Sequence, residues 1–508
     1  MGIQIQSVGT NDLFLTSPAI LVFVVGLAIM MLEAVVKPAS KSLFWLLGTG
    51  GLLGAGALTA MIWGQAEAGT SAYNGMLRID HYGLFFQVCT LLAGVLSLMM
   101  SEGYLERIGV RVGEYYALVL FGVFGMMLMG QASDFMMVFI ALEVMSIAMY
   151  VLSALKRADP KSVESGFKYF ILGAFSSGIM LYGISFLYGG VGSTGFAALS
   201  DWFKAGHDAG DNTLVLVGTA MVIIGFGFKV ASVPFHMWTP DVYQGAPTSV
   251  TALMSSGVKA ASFAAFGRVV LGVLGDSGDA WHHVLWIMAA LTMLVGNLGA
   301  LVQDDLKRVL AYSSIAHAGY LLMALVAAGP GAEGTMGGLL FYILAYTFMN
   351  AGAFAVLSMF THDGDDATGI DKLAGLGRSH PWLAAGLSVC LLSLAGIPPT
   401  MGFVGKFYIF SSVLASGHRD LAIIGAISAV IGVYYYIRPM IWMYMKEGHP
   451  HLALDRRAGF AVALCAVVMV VLGLMPSTIM AWAEGSLLAI DRKSTRLNSS
   501  HSSVSRMP

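Results

Sequence analysis

Four charged residues lie deep inside apolar stretches of this sequence, where an unpaired charge is strongly disfavoured. Glu143 lies about ten residues into the run FMMVFIALEVMSIAMY, and Lys229, Lys259 and Lys406 each lie well inside a run of their own. A lysine at the centre of a membrane helix costs about 2.5–3.5 kcal/mol on the insertion scale. A buried glutamate and a buried lysine stabilise each other's charged forms, and their separation favours release of the lysine proton. We predict that these four residues form a proton pathway.

Two further residues are candidates for the same pathway. Lys168 lies one turn inside its apolar run, and His317 lies in SSIAHAGY. An imidazole can relay protons near neutral pH, although a buried histidine with a purely structural role also fits this position. Arg268 and Arg438 lie near the ends of apolar runs, so their side chains are expected to reach the lipid headgroups.

Two of the apolar runs contain helix breaks. Pro234 interrupts GFGFKVASVPFHMWTPDVYQGAP, and Pro398 and Pro399 interrupt LSLAGIPPTMGFVGKFYIF. Proline removes a backbone donor, and unwound backbone at membrane depth is tolerated only where protein or a wet cavity surrounds it. Broken helices at corresponding places in two halves of a chain indicate a transport site. Simple kinks are the alternative interpretation.

The composition excludes a soluble enzyme. Of the 508 residues, 57% are hydrophobic and 11% are charged, whereas soluble domains carry roughly 25% charged residues. The net charge of −2 offers no basic surface for nucleic acid, so we expect no nucleic-acid partner and look for partners in the bilayer. Cys89, Cys390 and Cys465 are too far apart in sequence for a metal or iron–sulfur motif, and no metal site is expected.

Apolar runs of about 20 residues predict an all-α polytopic membrane protein, because lipid-exposed backbone must be hydrogen-bonded within its own helix. The fourteen predicted spans cover residues 18–36, 43–63, 81–101, 114–131, 133–155, 166–189, 213–234, 249–273, 281–303, 308–328, 336–361, 382–416, 420–445 and 459–484.

Basic residues in the connections predict the orientation, since they are enriched on the cytoplasmic side. With the N-terminus outside, three basic residues lie in the outer connections, namely Arg78, Lys204 and Arg419. Fourteen lie in the inner connections, namely Lys37, Lys41, Arg107, Arg111, Lys156, Arg157, Lys161, Lys307, Arg308, Lys372, Arg378, Lys446, Arg456 and Arg457. This asymmetry supports both the number of spans and the direction.

The predicted organisation is a single transmembrane domain over residues 1–490. The helix breaks fall in spans seven and twelve, which indicates two five-helix repeats, about 114–273 (spans four to eight) and about 281–445 (spans nine to thirteen). An odd number of spans in each repeat makes the second copy inverted. Residues 491–508, DRKSTRLNSSHSSVSRMP, have no apolar stripe and are expected to be a non-native tail.

Several segments together resemble a known family. They are the Glu143 run, FKVASVPFHMWTPDVYQGAPT, SSGVKAASFAAF, QDDLKRVLAYSSIAHAGY and GIPPTMGFVGKF. The chain is similar over residues 114–416, and more loosely to about 490, to the antiporter-like membrane subunits of respiratory complex I. DVYQGAPT, with Tyr243 and Gly245, and the lysine at position 406 favour the subunit N branch over the sister subunits L and M.

The resemblance implies a role for each candidate residue. Glu143 and Lys229 would be the ion pair of a first half-channel, Lys259 the connecting lysine, and Lys406 the lysine of a second half-channel. Lys168 and His317 match positions near the same hydrophilic axis.

The resemblance also implies the wider setting. The chain would be a proton-translocating subunit in a bacterial inner membrane, in contact with the lipid bilayer, a neighbouring antiporter-like subunit and other membrane subunits of the complex. It would hold no cofactor itself, while NAD, FMN, iron–sulfur clusters and quinone would bind to other subunits. Three alternatives stay open: a subunit of an Mrp-type cation/proton antiporter, a purely structural subunit, and a relative that takes electrons from ferredoxin.

Overall fold

The fold is a bundle of membrane-length helices. The computed structural model describes residues 9–36, 41–66, 69–110, 112–207, 210, 212–275, 280–328, 335–362 and 365–486. The predicted non-native tail at 491–508 lies outside the described residues.

Twelve helices in these ranges are long and apolar enough to cross a membrane. They match spans one to seven, nine to eleven, thirteen and fourteen of the sequence prediction, and in that order they are Ser17–Val35, Ser42–Trp63, His81–Met99, Glu114–Gln131, Phe135–Ser153, Pro160–Val191, Thr213–Val230, Ala280–Leu301, Leu306–Ala327, Thr335–Leu357, Arg419–Met445 and Arg456–Leu474. The predicted all-helical, multi-pass fold is confirmed.

The other two predicted spans depart from a regular α-helix, span twelve by a break and span eight by a π-helical turn. Span twelve consists of a first half, Pro381–Ala395, and a second half, Met401–Ala415. Span eight consists of Thr248–Leu253, a π-helical segment at Met254–Val258, and Lys259–Gly272. The sequence predicted the division of span twelve, but it gave no indication of the π-helical segment.

Shorter elements cap the ends of the bundle. The short helices are Thr10–Leu15, Glu102–Arg107, Phe196–Lys204, Thr239–Gly245, Ile370–Leu373, Leu376–Ser379 and Ser477–Gly485. Strands β1 (Thr70–Ala72) and β2 (Leu77–Ile79) pair antiparallel, as do β3 (Thr361–His362) and β4 (Asp365–Asp366). The β3–β4 hairpin lies between spans eleven and twelve, at the end of the bundle that carries Lys156, Lys161, Lys307 and Arg308. We call this end the basic face.

Spans ten and eleven form the centre of the bundle. Every residue of Thr335–Leu357 is buried, and so is every residue of Leu306–Ala327 except Arg308 and Tyr312. Spans one and fourteen are only about a quarter buried and lie at the periphery. The central position of span ten matters for the site, because this helix carries His317.

Small residues allow neighbouring spans to approach closely. A Cβ atom on Gly183 of span six would lie 2.7 Å from the carbonyl oxygen of Gly218 in span seven, and a Cβ on Gly218 would lie 2.8 Å from that of Gly183. Helices in lipid associate largely through such backbone-to-backbone packing. This contact fixes the first half of span seven, which carries Lys229, against span six.

Candidate functional site

Span seven ends its first helix immediately after Lys229. The helix stops at Val230 because Ala231 adopts a left-handed conformation with φ of 60°, and Pro234 lies in the unwound stretch before Thr239. Neighbouring groups satisfy the freed backbone. The Trp238 indole donates to the Phe228 carbonyl oxygen at 3.2 Å, and the backbone amide of Val233 donates to a threonine hydroxyl of span nine at 2.9 Å. This is the arrangement that unwound backbone requires at membrane depth.

The Lys229 side chain is buried and reaches span five. Its Nζ donates to the Ser146 hydroxyl at 2.7 Å and to the Tyr150 hydroxyl at 3.4 Å. The centroids of the Tyr150 and Tyr169 rings lie 5.4 and 5.9 Å from Nζ, within the range of cation–π attraction. The groups that contact the Lys229 ammonium directly are hydroxyls and aromatic rings, which carry no formal charge.

Glu143 lies on the same face of span five, three residues before Ser146 and seven before Tyr150. The expected direct ion pair between Glu143 and Lys229 is nevertheless absent from the described salt bridges, since Ser146 takes the hydrogen bond of the lysine. Glu143 is within electrostatic range of Lys229, and its Oε1 is buried without a hydrogen-bond partner. The two residues are neighbours across a gap, which corrects the expectation of a direct contact.

Lys259 lies at the start of the second helix of span eight, directly after the π-helical segment. It is buried, and its Nζ donates to the Ser314 hydroxyl of span ten at 2.5 Å and to the carbonyl oxygen of the same residue. The centroid of the Tyr346 ring of span eleven lies 5.4 Å from Nζ. Lys259 therefore connects span eight to the central helices.

His317 lies one turn beyond Ser314 on span ten. Its Nδ1 hydrogen-bonds to the Tyr342 hydroxyl, and its Nε2 to the Tyr436 hydroxyl at 3.0 Å. Because one nitrogen of a neutral imidazole donates and the other accepts, the ring joins the two hydroxyls into a continuous hydrogen-bonded chain. Both Lys259 and Lys406 are within electrostatic range of this ring.

Lys406 lies in the second half of span twelve and folds back onto the first half. Its Nζ donates to the carbonyl oxygens of Leu394 and Ala395 at 2.8 and 3.1 Å, and the centroid of the Tyr320 ring of span ten lies 5.1 Å away. The first half ends because Gly396 adopts a left-handed φ of 82°. A Cβ at Gly396 would lie 2.8 Å from the lysine side chain, so only glycine allows Lys406 to lie this close.

Span ten thus brings several of the candidates together. Ser314 contacts Lys259, His317 lies between the two lysines, and Tyr320 faces Lys406. Lys229 lies apart from this group, and no described hydrogen bond joins it to Lys259. We call Lys229, Lys259, His317 and Lys406 the buried axis.

Lys168 lies outside the buried axis, in a half-exposed ion-pair cluster at the basic face. Its Nζ is 2.6 Å from carboxylate oxygens of both Glu164 and Asp241, and Arg308 binds the other oxygen of Asp241 at 2.9 Å. Burial alone would raise the pKa of Asp241, but the two cations outweigh it and hold the pKa below the ordinary carboxyl value. This cluster connects the short helix after the break in span seven to spans six and ten.

Arg268 does not reach the headgroups, and the expectation that it does is wrong. Its guanidinium is 4% exposed and donates to both carboxylate oxygens of Asp80, at 2.8 and 2.5 Å, and to the Gly130 carbonyl oxygen at 3.1 Å. Burial would raise the pKa of Asp80, but Arg268 outweighs burial and lowers it. Arg438 of span thirteen is partly exposed and binds Asp304, which lies just after the end of span nine.

The neutral partners of the axis were missed by sequence reasoning. Serine and tyrosine hydroxyls are common in membrane helices, and only their spacing from the charged residues distinguishes these ones. Ser146 and Tyr150 follow Glu143 at helical intervals of three and seven, and Ser314 precedes His317 by three. That periodicity could have identified them.

The comparisons with known proteins identify the family. The transmembrane family model for NADH:quinone oxidoreductase and Mrp antiporter subunits matches residues 132–432. NADH-quinone oxidoreductase subunit N from Trichlorobacter lovleyi is 42% identical over 484 residues, which are 95% of this chain and 98% of that protein. The chain belongs to the NADH-quinone oxidoreductase subunit N family. The resemblance found in the sequence is confirmed.

Solved structures share the subunit N fold. A chain in the structure of respiratory complex I from Thermus thermophilus with bound aureothin has a TM-score of 0.78 and 32% identity, covering 92% of this chain and 100% of that one. A chain of the Mrp complex from a Dietzia species has a TM-score of 0.82 at 20% identity, covering 94% and 97%. The second similarity concerns the fold alone.

The region matched by the family model contains the whole buried axis. Residues 132–432 include Glu143, Lys229, Lys259, His317 and Lys406. Spans one to three, with Asp80, lie before it. In this subunit N family member the candidate residues therefore lie in the part of the fold that the wider family shares.

Proposed function

We propose that this chain translocates protons as a membrane subunit of an NADH-quinone oxidoreductase. NADH oxidation and quinone reduction would take place on other subunits, which would also hold NAD, FMN, the iron–sulfur clusters and quinone. Its partners would be the other membrane subunits of that complex, including a neighbouring antiporter-like subunit.

One observation carries the proposal: the three buried lysines are held by neutral oxygen atoms. Lys229 binds hydroxyl groups, Lys259 binds a hydroxyl and a carbonyl oxygen, and Lys406 binds two carbonyl oxygens. Both an ammonium and a neutral amine can donate to such acceptors, whereas a carboxylate in direct contact would hold the lysine in its charged form. Each site therefore accommodates gain and loss of a proton.

The gap between Glu143 and Lys229 suggests how the first transfer is driven. If the carboxylate approaches Lys229, the charged lysine is stabilised, and if it withdraws, proton release is favoured. A conformational or electrostatic change in a neighbouring subunit would move this charge. Each proton released outward works against about 2.3 kcal/mol per 100 mV of membrane potential.

Transfer between Lys259 and Lys406 would follow span ten. The Ser314 hydroxyl contacts Lys259, and the His317 ring bridges the Tyr342 and Tyr436 hydroxyls. Imidazole and hydroxyl groups can pass protons along a hydrogen-bonded chain. Lys168 has a different part in this proposal: it holds the short helix after the break in span seven at the basic face.

The proposed setting is a bacterial inner membrane with the N-terminus outside and the basic face in the cytoplasm. The enrichment of lysine and arginine at that face supports this orientation. Two inverted repeats, at about 114–273 and 281–445, remain part of the proposal. The breaks support them, because Pro234 follows the left-handed Ala231 by three residues and Pro399 follows the left-handed Gly396 by three.

An Mrp-type antiporter subunit is the less favoured function. The family model covers both groups of proteins, but the relative that matches 95% of this chain at 42% identity is named NADH-quinone oxidoreductase subunit N. The Mrp chain is 20% identical.

The test is Lys229→Met in the complete complex reconstituted into vesicles, with Lys372→Met as the control. Lys372 is mostly exposed on the short helix Ile370–Leu373 and pairs with its neighbour Asp371. We expect the Lys229 variant to assemble but to pump fewer protons per NADH oxidised, measured with a pH-sensitive dye, while the control matches the wild type. Wild-type pumping by an assembled Lys229→Met complex would contradict the proposal.

A further inference from the structure

Asp366, in the β3–β4 hairpin, joins three segments that are far apart in the sequence. Its Oδ2 accepts hydrogen bonds from the Tyr104 hydroxyl at 3.0 Å, the Thr248 hydroxyl at 2.8 Å and the Lys307 ammonium group at 3.1 Å. Hydrogen bonds to a charged group are stronger than neutral ones. One carboxylate oxygen therefore holds the short helix Glu102–Arg107 after span three and the beginnings of spans eight and ten.

The same groups are linked to one another. The Tyr104 hydroxyl accepts a hydrogen bond from the backbone amide of Thr248 at 2.8 Å, and the Lys307 ammonium donates to the Ala246 carbonyl oxygen at 2.6 Å. Thr248 is the first residue of span eight, and Lys307 is the second residue of span ten. The ends of these two helices are thus fixed to each other around Asp366.

Both helices carry members of the buried axis. Lys259 lies eleven residues beyond Thr248 on span eight, and His317 lies ten residues beyond Lys307 on span ten. Ser314, the hydrogen-bond partner of Lys259, lies seven residues beyond Lys307. Their hydrogen bond of 2.5 Å requires the helices to keep their separation. Hydrogen bonds weaken steeply when the groups move apart, so a shift of about 1 Å at the helix ends is enough to break it.

We propose that Asp366 is a positioning residue for proton transfer, which sets spans eight and ten so that Lys259 meets Ser314. The inference rests on the proposed function of the buried axis. Asp366 acts through the helix ends and does not itself touch the axis.

The surroundings of the second carboxylate oxygen fit this role. Asp366 Oδ1 is buried and has no hydrogen-bond partner among the described residues, and Asp366 lines a cavity of about 300 Å³ at the basic face together with Asp305, Thr368 and Gln244. A cavity of this size has room for water. The hydrogen bonds to Oδ2 therefore lie beside a polar cavity.

The experiment compares Asp366→Leu and Asp366→Asn with Asp371→Leu in the complete complex. Asp371 is an exposed carboxylate of the short helix Ile370–Leu373, which follows the hairpin, and its described ion pair is with the adjacent Lys372. We expect protons pumped per NADH oxidised to fall at least twofold in Asp366→Leu. Asp366→Asn keeps one acceptor oxygen but loses the charge that holds Lys307, so we expect it to recover part of the loss. Asp371→Leu should equal the wild type.

A double-variant comparison separates positioning from a general structural effect. If Asp366 acts through the Lys259–Ser314 contact, Asp366→Asn should reduce pumping much less in a Ser314→Ala background than in the wild type. Equal reductions in both backgrounds would overturn the inference, as would wild-type pumping by Asp366→Leu. If Asp366→Leu does not assemble, pumping by Asp366→Asn is the deciding measurement. Wild-type pumping by Asp366→Asn then overturns the inference.

A Lys259→Met complex in the same series distinguishes the two proposals. Normal pumping by Lys259→Met contradicts the proposed function itself. Loss of pumping in Lys259→Met with normal pumping in the Asp366 variants contradicts the positioning role alone.

Discussion

The ammonium group of Lys406 lies at the C-terminal end of the half-helix that precedes it, 2.8 Å from the carbonyl oxygen of Leu394. Carbonyl groups in the last turn of a helix have no partner within that helix and carry a partial negative charge. The lysine therefore stabilises the break in span twelve, and the break in turn gives a buried cation neutral acceptors. Loss of either partner should disturb the other.

Gly396→Ala tests this mutual dependence. The substitution places a side chain on a left-handed residue and brings its Cβ to 2.8 Å from the Lys406 side chain. We expect a loss of stability of about 1–3 kcal/mol, seen as a lower Tm of the purified complex, together with reduced pumping. Gly417→Ala shares the left-handed conformation but has open space around its Cβ. A larger loss of pumping in the Gly417 variant would contradict the account.

Ser146→Ala removes the closest hydrogen-bond acceptor of Lys229 while Glu143 stays in place. The lysine should then turn toward Glu143, and the resulting ion pair should hold its proton more firmly. We expect slower pumping with normal assembly, measured as the initial rate of vesicle acidification. Ser185→Ala on span six is the control, because the described hydrogen bond of its hydroxyl is to the Leu181 carbonyl oxygen within its own helix. Equal rates in both variants would show that the Ser146 contact is dispensable.

Gly218→Ala should separate spans six and seven. Its Cβ would lie 2.8 Å from a backbone oxygen and 3.0 Å from a backbone nitrogen of span six, neither of which can turn aside. Overpacking of this kind costs about 1–3 kcal/mol, which a thermal melt of the purified complex would detect. Gly178→Ala on span six has no atom of the described residues within 4 Å of its Cβ and should melt like the wild type. An unchanged Tm in Gly218→Ala would mean that the spans can move apart without loss.

Asp80→Asn should destabilise the end of span eight that lies opposite the basic face. Removal of one partner from a buried ion pair leaves an uncompensated charge and costs about 3–5 kcal/mol. The exposed pair of Arg378 and Glu447 provides the control, since Glu447→Gln should change Tm little.

The pH dependence of the Asp80 effect follows from its pKa. Burial opposes ionisation, but Arg268 lowers the pKa below the ordinary value of 3.8. The pair therefore contributes its full stability above the ordinary value and loses it only as the pH falls through the lowered pKa. The Tm difference between wild type and Asp80→Asn should be constant from about pH 6 to 8. A difference that shrinks within this range would contradict the assigned pKa direction.

The positions of the spans could be predicted from the sequence because the thickness of the bilayer sets the length of an apolar helix that crosses it. A membrane helix needs about 20 apolar residues, and Lys229 and Lys406 could be placed in interrupted spans because proline marks the breaks. Span six starts at Pro160, six residues before its apolar run, because Asp159 caps the helix in a region too polar for the criterion. The π-helical segment before Lys259 has no such signature in the sequence.

Long-range partners could not be predicted in the same way. The position of Arg268 near a helix end predicts contact with the headgroups, whereas Asp80, 188 residues earlier, lies beside it in the fold. Ser146 is 83 residues from Lys229, and Asp366 is 118 residues from Thr248. The sequence around each member of these pairs gives no indication of its partner, because only the packing of the whole bundle brings the two residues together.

Thr335–Leu357 is as apolar as the other spans, yet each of its residues is enclosed by protein. During insertion this helix must be surrounded by lipid tails or by the insertion machinery, and in the finished protein it has no annular lipid. A photoactivatable fatty-acyl probe dissolved in the bilayer would thus label the peripheral helices Ser17–Val35 and Arg456–Leu474 and leave Thr335–Leu357 unmarked. Labelling of Thr335–Leu357 would show that some molecules are only partly assembled. The extent of this labelling therefore measures how completely the other helices have packed around it.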